Sequence, residues 1–119
     1  MDADDDTTAV QRYRLVSARG ELDLATTALL RLDLDRWQAR DGVRRQIVDL
    51  GQATFLDAPA LRVLCAAHAL ADLDGGWLRL VYTHRSIASL LETARLEGRF
   101  PRHATIADAA AGRTSSLPP

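Results

Sequence analysis

The spacing of apolar and polar residues changes several times along this chain of 119 residues. Apolar and polar side chains alternate across residues 12–18, and this period of two predicts a strand that ends at Gly20. Further strands are predicted at residues 46–50, 77–82 and 105–106. Residues 51–56 are then expected to form a loop after the second strand, which we predict to be central in the sheet.

Apolar residues recur every three or four positions between these strands, and this spacing predicts helices. The first helix is expected to begin after Asp23, whose carboxylate can cap the first turn, and to end near Arg40. Its core face would carry Leu30, Leu34 and Trp37. A second helix is predicted from Ala58 or Pro59 to about Leu73. A third is expected to be capped by Ser86 or a neighbour and to stop at Gly98, and a last helical piece is predicted at residues 107–111. Strands and helices that alternate in this way predict an α/β fold in which neighbouring strands are parallel and helices cover the sheet.

Length and charge are those of one globular domain with short tails. We predict an acidic disordered tail at residues 1–9, a domain at 10–112 and a flexible tail at 113–119. The formal net charge is −1, and without the aspartates at positions 2, 4, 5 and 6 it is +3, which is too little for a nucleic-acid-binding surface. The start of the chain is acidic where a signal peptide is basic, and no apolar run reaches about 18 residues. We therefore expect a cytoplasmic protein without a membrane span.

Few residues could carry catalysis or bind a metal ion. The single cysteine, Cys65, is expected to be a buried, inert thiol. His68, His84 and His103 fall on different predicted elements and lack the spacing of metal ligands. Neither a glycine-rich phosphate-binding motif nor a pair of nucleophile and base is recognisable. We expect no enzyme activity, no metal and no cofactor.

The start of the second predicted helix is the most informative point in the chain. Open α/β sheets place their sites beyond the carboxyl ends of strands, and Asp49 and Asp57 flank such a point. Pro59 suits the first turn of a helix because it lacks an N–H group and has a fixed φ. Two interpretations stay open: Asp57 caps the helix, or Ala58 is at the N-cap position and Pro59 is the first helical residue.

Several segments, taken in order, resemble the STAS domain of bacterial anti-sigma factor antagonists. They are Gly20-Glu21-Leu22-Asp23, residues 47–51, residues 54–57, residues 61–64 and residues 75–81. The resemblance covers about residues 13–111. It implies a STAS-like mixed β-sheet of four to five strands with helices packed mainly on one side. The family usually has two strands before the first of these segments, whereas one is recognisable here.

The resemblance also implies a function and its regulation. Proteins of this family bind an anti-sigma factor, often a serine kinase with a histidine-kinase-like ATPase fold, and binding frees the sigma factor. Phosphorylation of a serine at the start of the second long helix, in the motif Asp-Ser-Ser-Gly-Leu, abolishes this binding. The matching residues here are Asp57-Ala58-Pro59-Ala60-Leu61, with Pro59 at the acceptor position. The usual switch adds a charge of about −1.5 to −2 and cannot operate at a residue without a hydroxyl group.

By the same resemblance, a partner-binding surface is expected at Asp23, Thr54, Asp57, Ala58, Pro59, Ala60 and Arg62. Thr54 carries the nearest hydroxyl group to the lost acceptor. We expect the chain to sequester a kinase-type anti-sigma factor and so to regulate transcription, without direct contact to nucleic acid. The alternative is a STAS accessory subunit of a transporter ATPase or of a stress-signalling scaffold. A homodimer stays open in either case.

Overall fold

Four parallel strands form one sheet in the part of the chain that the computed structural model describes, residues 13–36 and 43–118. In order across the sheet they are β1 (Arg14–Leu22), β2 (Arg45–Leu56), β3 (Trp77–Tyr82) and β4 (Arg102–His103). The helices described are α1 (Leu24–Asp35), α2 (Ala58–Leu73), α3 (Arg85–Thr93) and α4 (Ile106–Ala111). The predicted α/β fold class is confirmed. The predicted acidic tail lies outside the described residues, and the predicted domain boundaries stay a prediction.

Strand β1 does not end at Gly20, as the sequence had suggested, but continues to Leu22. Gly20 has a φ of +67°, a left-handed conformation that glycine adopts without steric strain. The register with β2 shifts between Gly20 and Glu21, as it does in a β-bulge. The left-handed glycine thus lies at the register shift, and the pairing of β1 with β2 continues on both sides of it.

Strand β2 is more than twice as long as predicted, because residues 51–56 are strand and not loop. Its pairing with β3 ends where Leu50 lies opposite Tyr82, but its pairing with β1 continues to Leu22 and Leu56. The second half of β2 is thus held by one neighbour alone. This two-stranded extension of β1 and β2 carries the candidate site described below.

Three of the other predicted boundaries also need correction. Helix α3 ends at Thr93, short of the predicted stop at Gly98. Helix α1 ends at Asp35 with Arg36 at the C-cap position, short of the predicted Arg40, and Trp37 lies outside the described residues. The edge strand is Arg102–His103 and not residues 105–106. Thr105 instead caps α4, because its hydroxyl oxygen accepts a hydrogen bond from the N–H of Asp108 at 3.0 Å.

The main core lies between the sheet and helices α1, α2 and α3. It contains Leu30 and Leu34 of α1, Leu64 of α2 and Ile87 and Leu91 of α3, all buried against apolar side chains of β1, β2 and β3. A smaller cluster on the opposite face of the sheet joins α4 to β2 and β3 through Ala109, Ile47 and Val81. The helices therefore pack mainly on one side of the sheet, as predicted. No helix among the described residues is long and apolar enough to cross a membrane.

Candidate partner-binding site

The carboxyl ends of β1 and β2 lie side by side and place two aspartates next to each other in the fold. Leu22 is paired with Leu56, and both strands end at these residues. The next residues, Asp23 and Asp57, are the N-caps of α1 and α2. The predicted pair, Asp49 and Asp57, is not the one observed, because Asp49 lies within β2, where its Oδ1 accepts a hydrogen bond from the N–H of Gly51 at 2.9 Å. The acids at the two strand ends are Asp23 and Asp57, and each carboxylate fixes the start of a helix.

Asp23 forms a reciprocal cap with Thr26. Its carboxylate accepts hydrogen bonds from the N–H groups of Ala25 and Thr26, both at 3.1 Å, and its own N–H donates to the Thr26 hydroxyl oxygen at 2.8 Å. This is a capping box in which threonine takes the place of the usual acid. The hydrogen bonds from Thr26, backbone first and then hydroxyl, lower the pKa of Asp23 below 3.8 because they favour its charged form.

Asp57 caps α2 through a hydrogen bond from the N–H of Ala60 to its Oδ1 at 2.9 Å. The first helical bond of α2 runs from the N–H of Leu61 to the carbonyl of Asp57 at 3.1 Å. Of the two open interpretations, the one in which Asp57 caps the helix is thus the one observed, and Ala58 and Pro59 are the first two helical residues. Ala58 is thus helical although it precedes a proline. Because Pro59 has no N–H and that of Ala60 is engaged, this helix start is a weak site for an anion.

Exposure separates the predicted contact residues into two groups. Asp23, Thr54, Ala58 and Arg62 are exposed, whereas Asp57 and Pro59 are partly buried. Ala60, which the sequence placed on the same surface, is a core residue with 0% exposure. We therefore remove Ala60 from the contact surface and keep the other six residues.

Phe55 is a large apolar residue at this surface that sequence reasoning missed. Its side chain is 48% exposed, and it is paired with Glu21 across the irregular part of the β1–β2 ladder. Strict alternation would bury Phe55 if Thr54 is exposed, but the register shift leaves both exposed. An exposed aromatic residue beside charged ones is typical of protein interfaces.

The start of α3 supports this surface from the side of β3. The Ser86 hydroxyl donates to the main-chain carbonyl of Thr54, and the Thr83 hydroxyl donates to the carbonyl of Gly51 at 3.2 Å. His84 caps α3, because its Nδ1 accepts from the N–H of Ser86 at 3.2 Å. These bonds occupy main-chain groups of β2 that β3 is too short to reach, so the backbone of Thr54 is held in place.

The histidines and the cysteine of the described residues are not gathered into a metal site. Within the described ranges, no group of three or more His, Cys, Asp or Glu side chains could hold a metal ion. His68 lies edge-on to Phe100, with ring centroids 5.2 Å apart, and its Nδ1 is 3.4 Å from an oxygen of Asp72. Cys65 is a free, partly buried thiol.

Comparisons with known proteins assign the chain to a family. The family model of the STAS domain matches residues 6–109. The chain therefore belongs to the STAS domain family. Among solved structures, it is similar to the crystal structure of an anti-sigma factor antagonist from Mycobacterium paratuberculosis, with a TM-score of 0.69 and 23% sequence identity over 82% of each chain. This likeness concerns the fold. No curated protein matches the chain.

Proposed function

We propose that this STAS domain protein sequesters an anti-sigma factor in the cytoplasm and thereby regulates transcription, without touching nucleic acid itself. The observation that carries the proposal is the surface formed by Asp23, Thr54, Phe55, Asp57 and Arg62 at the carboxyl ends of β1 and β2. This surface combines an exposed aromatic residue with charges of both signs, as interfaces between proteins do.

The surface is built on fixed backbone. Asp23 and Asp57 are held by caps, and the Thr54 carbonyl is held by Ser86. A contact surface that is ordered before binding loses little conformational entropy when the partner arrives. The order of this surface therefore supports a role in binding a protein partner.

The partner in this proposal has the histidine-kinase-like ATPase fold, but it cannot switch the interface by phosphorylation at the start of α2. Pro59 stands at the acceptor position and Ala58 precedes it, and neither side chain has a hydroxyl oxygen to receive a phosphoryl group. The complex would therefore persist in the presence of ATP, and its control would rest on the amount of either protein or on other residues.

The test is a binding experiment with purified anti-sigma factors of this class from the source organism, each offered to the full chain with γ-labelled ATP. We expect at least one of them to form a stable complex and to leave residues 58–60 without label. Capture of a transporter ATPase instead, with no anti-sigma factor bound, would favour the accessory-subunit alternative. Label on Thr54 would contradict an interface without a phosphorylation switch.

A matched pair of charge reversals locates the interface. Arg62 and Arg99 are both exposed, but Arg62 lies in the second turn of α2, while Arg99 follows α3 near the start of β4, at the opposite edge of the sheet. Arg62→Glu should weaken binding about tenfold or more, and Arg99→Glu should leave the dissociation constant within about twofold of wild type. Equal effects of both variants would place the interface elsewhere.

A further inference from the structure

The residues that follow α4 turn back along the outer edge of β4. The N–H of Ser115 donates to the carbonyl of Arg102 at 3.0 Å, and His103 Nδ1 lies 2.6 Å from the carbonyl oxygen of Arg113. Residues 113–118, which we call the C-terminal strap, therefore run antiparallel to β4 and cover the edge of the sheet that β4 would otherwise expose.

Arg102 is the residue that holds the strap, and its guanidinium group is fixed. Its Nε donates to the carbonyl of Tyr82 at 2.7 Å. Its Nη1 lies 3.2 Å from the hydroxyl oxygen of Ser115, 3.3 Å from the carbonyl oxygen of Ser115 and 3.4 Å from that of Ser116. A positive charge is thus oriented towards the strap by a main-chain bond, and the groups that it meets there are all neutral. An anionic acceptor in the same place would form shorter and stronger bonds.

Ser115 is the one strap side chain for which a hydrogen bond to this guanidinium is observed. Ser115 is exposed and lies in a segment without helix or strand, which a modifying enzyme can reach. Ser116 is equally exposed, but it meets Arg102 through its main-chain carbonyl alone. The two adjacent serines therefore differ in one respect, the position of the hydroxyl oxygen relative to Arg102.

We propose that Ser115 is a phosphorylation site and that its phosphate, held by Arg102, locks the C-terminal strap against β4. A serine kinase would transfer the γ-phosphoryl group of ATP to Ser115 Oγ. The Oγ–P bond forms, the bond between the γ-phosphorus and the β,γ-bridging oxygen breaks, a base of the kinase takes the hydroxyl proton, and ADP leaves. This site is separate from the surface at the carboxyl ends of β1 and β2.

Whether a phosphate on Ser115 tightens or loosens the strap depends on Arg102, because both positive and negative side chains lie nearby. The strap borders a cleft of about 630 Å³ that is also lined by Arg85, Arg102, Glu92 and Glu97. Arg85 binds the strap further along, with its Nη2 2.5 Å from the carbonyl oxygen of Pro118. A phosphate adds a charge of about −1.5 to −2 and gains from the two arginines but is repelled by the two glutamates. With Arg102 neutralised, the same phosphate should loosen the strap.

The first test asks whether the Ser115 hydroxyl is phosphorylated. The full chain and its S115A and S116A variants are incubated with γ-labelled ATP and the purified serine/threonine kinases of the source organism. We expect label on wild type and on S116A, and its loss in S115A. Label that persists in S115A, or wild type that no kinase labels, overturns the proposal.

The second test asks what the phosphate does. Phosphoserine is incorporated at position 115 or at position 116 of the full chain, and amide hydrogen exchange is followed across residues 102–118. Phosphoserine at 115 should slow exchange of the strap amides about fivefold or more, and phosphoserine at 116 should change it less than about twofold. In an Arg102→Gln background, phosphoserine at 115 should speed exchange. Equal effects at the two positions, or protection that survives the loss of Arg102, would contradict the proposal.

Discussion

The turn before β3 offers the sharpest structural prediction, because two adjacent glycines in it are needed for different reasons. A Cβ atom added to Gly76 would lie 1.8 Å from the carbonyl oxygen of Arg44 and 2.5 Å from its carbonyl carbon. These are main-chain atoms, so no side-chain rotation can relieve the clash. Gly75 has a φ of +77°, but a Cβ atom there meets nothing within 4 Å. Gly75→Ala should therefore be strained only by its left-handed backbone, which costs about 1–2 kcal/mol.

Gly76→Ala must move the backbone by about an ångström and disturb the hydrogen bond from the N–H of Trp77 to the carbonyl of Arg44, now 2.8 Å long. We expect a loss of about 3 kcal/mol or more, a large fraction of the 5–15 kcal/mol that stabilises a typical domain. Urea denaturation followed by circular dichroism measures both variants against wild type. If Gly76→Ala were no less stable than Gly75→Ala, the close approach of the two chain segments would be wrong.

Three further predictions concern the caps and the core. Asp57→Ala should lower the free energy of unfolding by about 0.5–2 kcal/mol in a denaturant assay. Asp57→Asn keeps an acceptor for the Ala60 N–H and should lose much less. Equal losses in the two variants would rule out the cap. Leu64→Ala should cost about 2–5 kcal/mol of stability because Leu64 is fully buried. Its control, Leu73→Ala, replaces a residue that is 82% exposed and should change stability by less than about 0.5 kcal/mol in the same assay. NMR titration should find the pKa of Asp23 below 3.8. The contribution of Asp23 to stability should then be complete above pH 3.8 and be lost as the pH falls through the lower pKa of the folded state. An unshifted pKa would contradict the capping box.

Local signals in the sequence were sufficient for some elements. Helix α2 was predicted to within one residue at its start, Ala58 or Pro59, and to end near Leu73, where it does end. A capping acid, a proline in the first turn, periodic apolar residues and a Gly-Gly stop all lie within it or beside it. Each of these signals acts over a few residues. The Asp23 cap was predicted for the same reason, whereas the sequence left open whether Asp57 or Ala58 is the N-cap of α2.

The features that the sequence analysis missed depend on contacts between residues far apart in the chain. Residues 51–56 have the composition of a loop and form a strand because β1 continues beside them past Gly20. Phe55 then becomes exposed through a register shift that involves two strands and is encoded in neither alone. The burial of Ala60 follows from how α2 packs on the sheet, which its position near the helix start did not reveal.

The measurement that bears most directly on the proposed function is the affinity of the anti-sigma partner, by isothermal titration calorimetry, for wild type, Pro59→Ala and Pro59→Glu. Both variants lose the proline, so they differ in the charge at the second position of α2, where a negative charge is tolerated by the helix. We predict a dissociation constant within about threefold of wild type for Pro59→Ala and one about tenfold or more higher for Pro59→Glu. Both variants should unfold at the same thermal midpoint within about 4 °C. Unchanged affinity of folded Pro59→Glu would show that the start of α2 is not the interface.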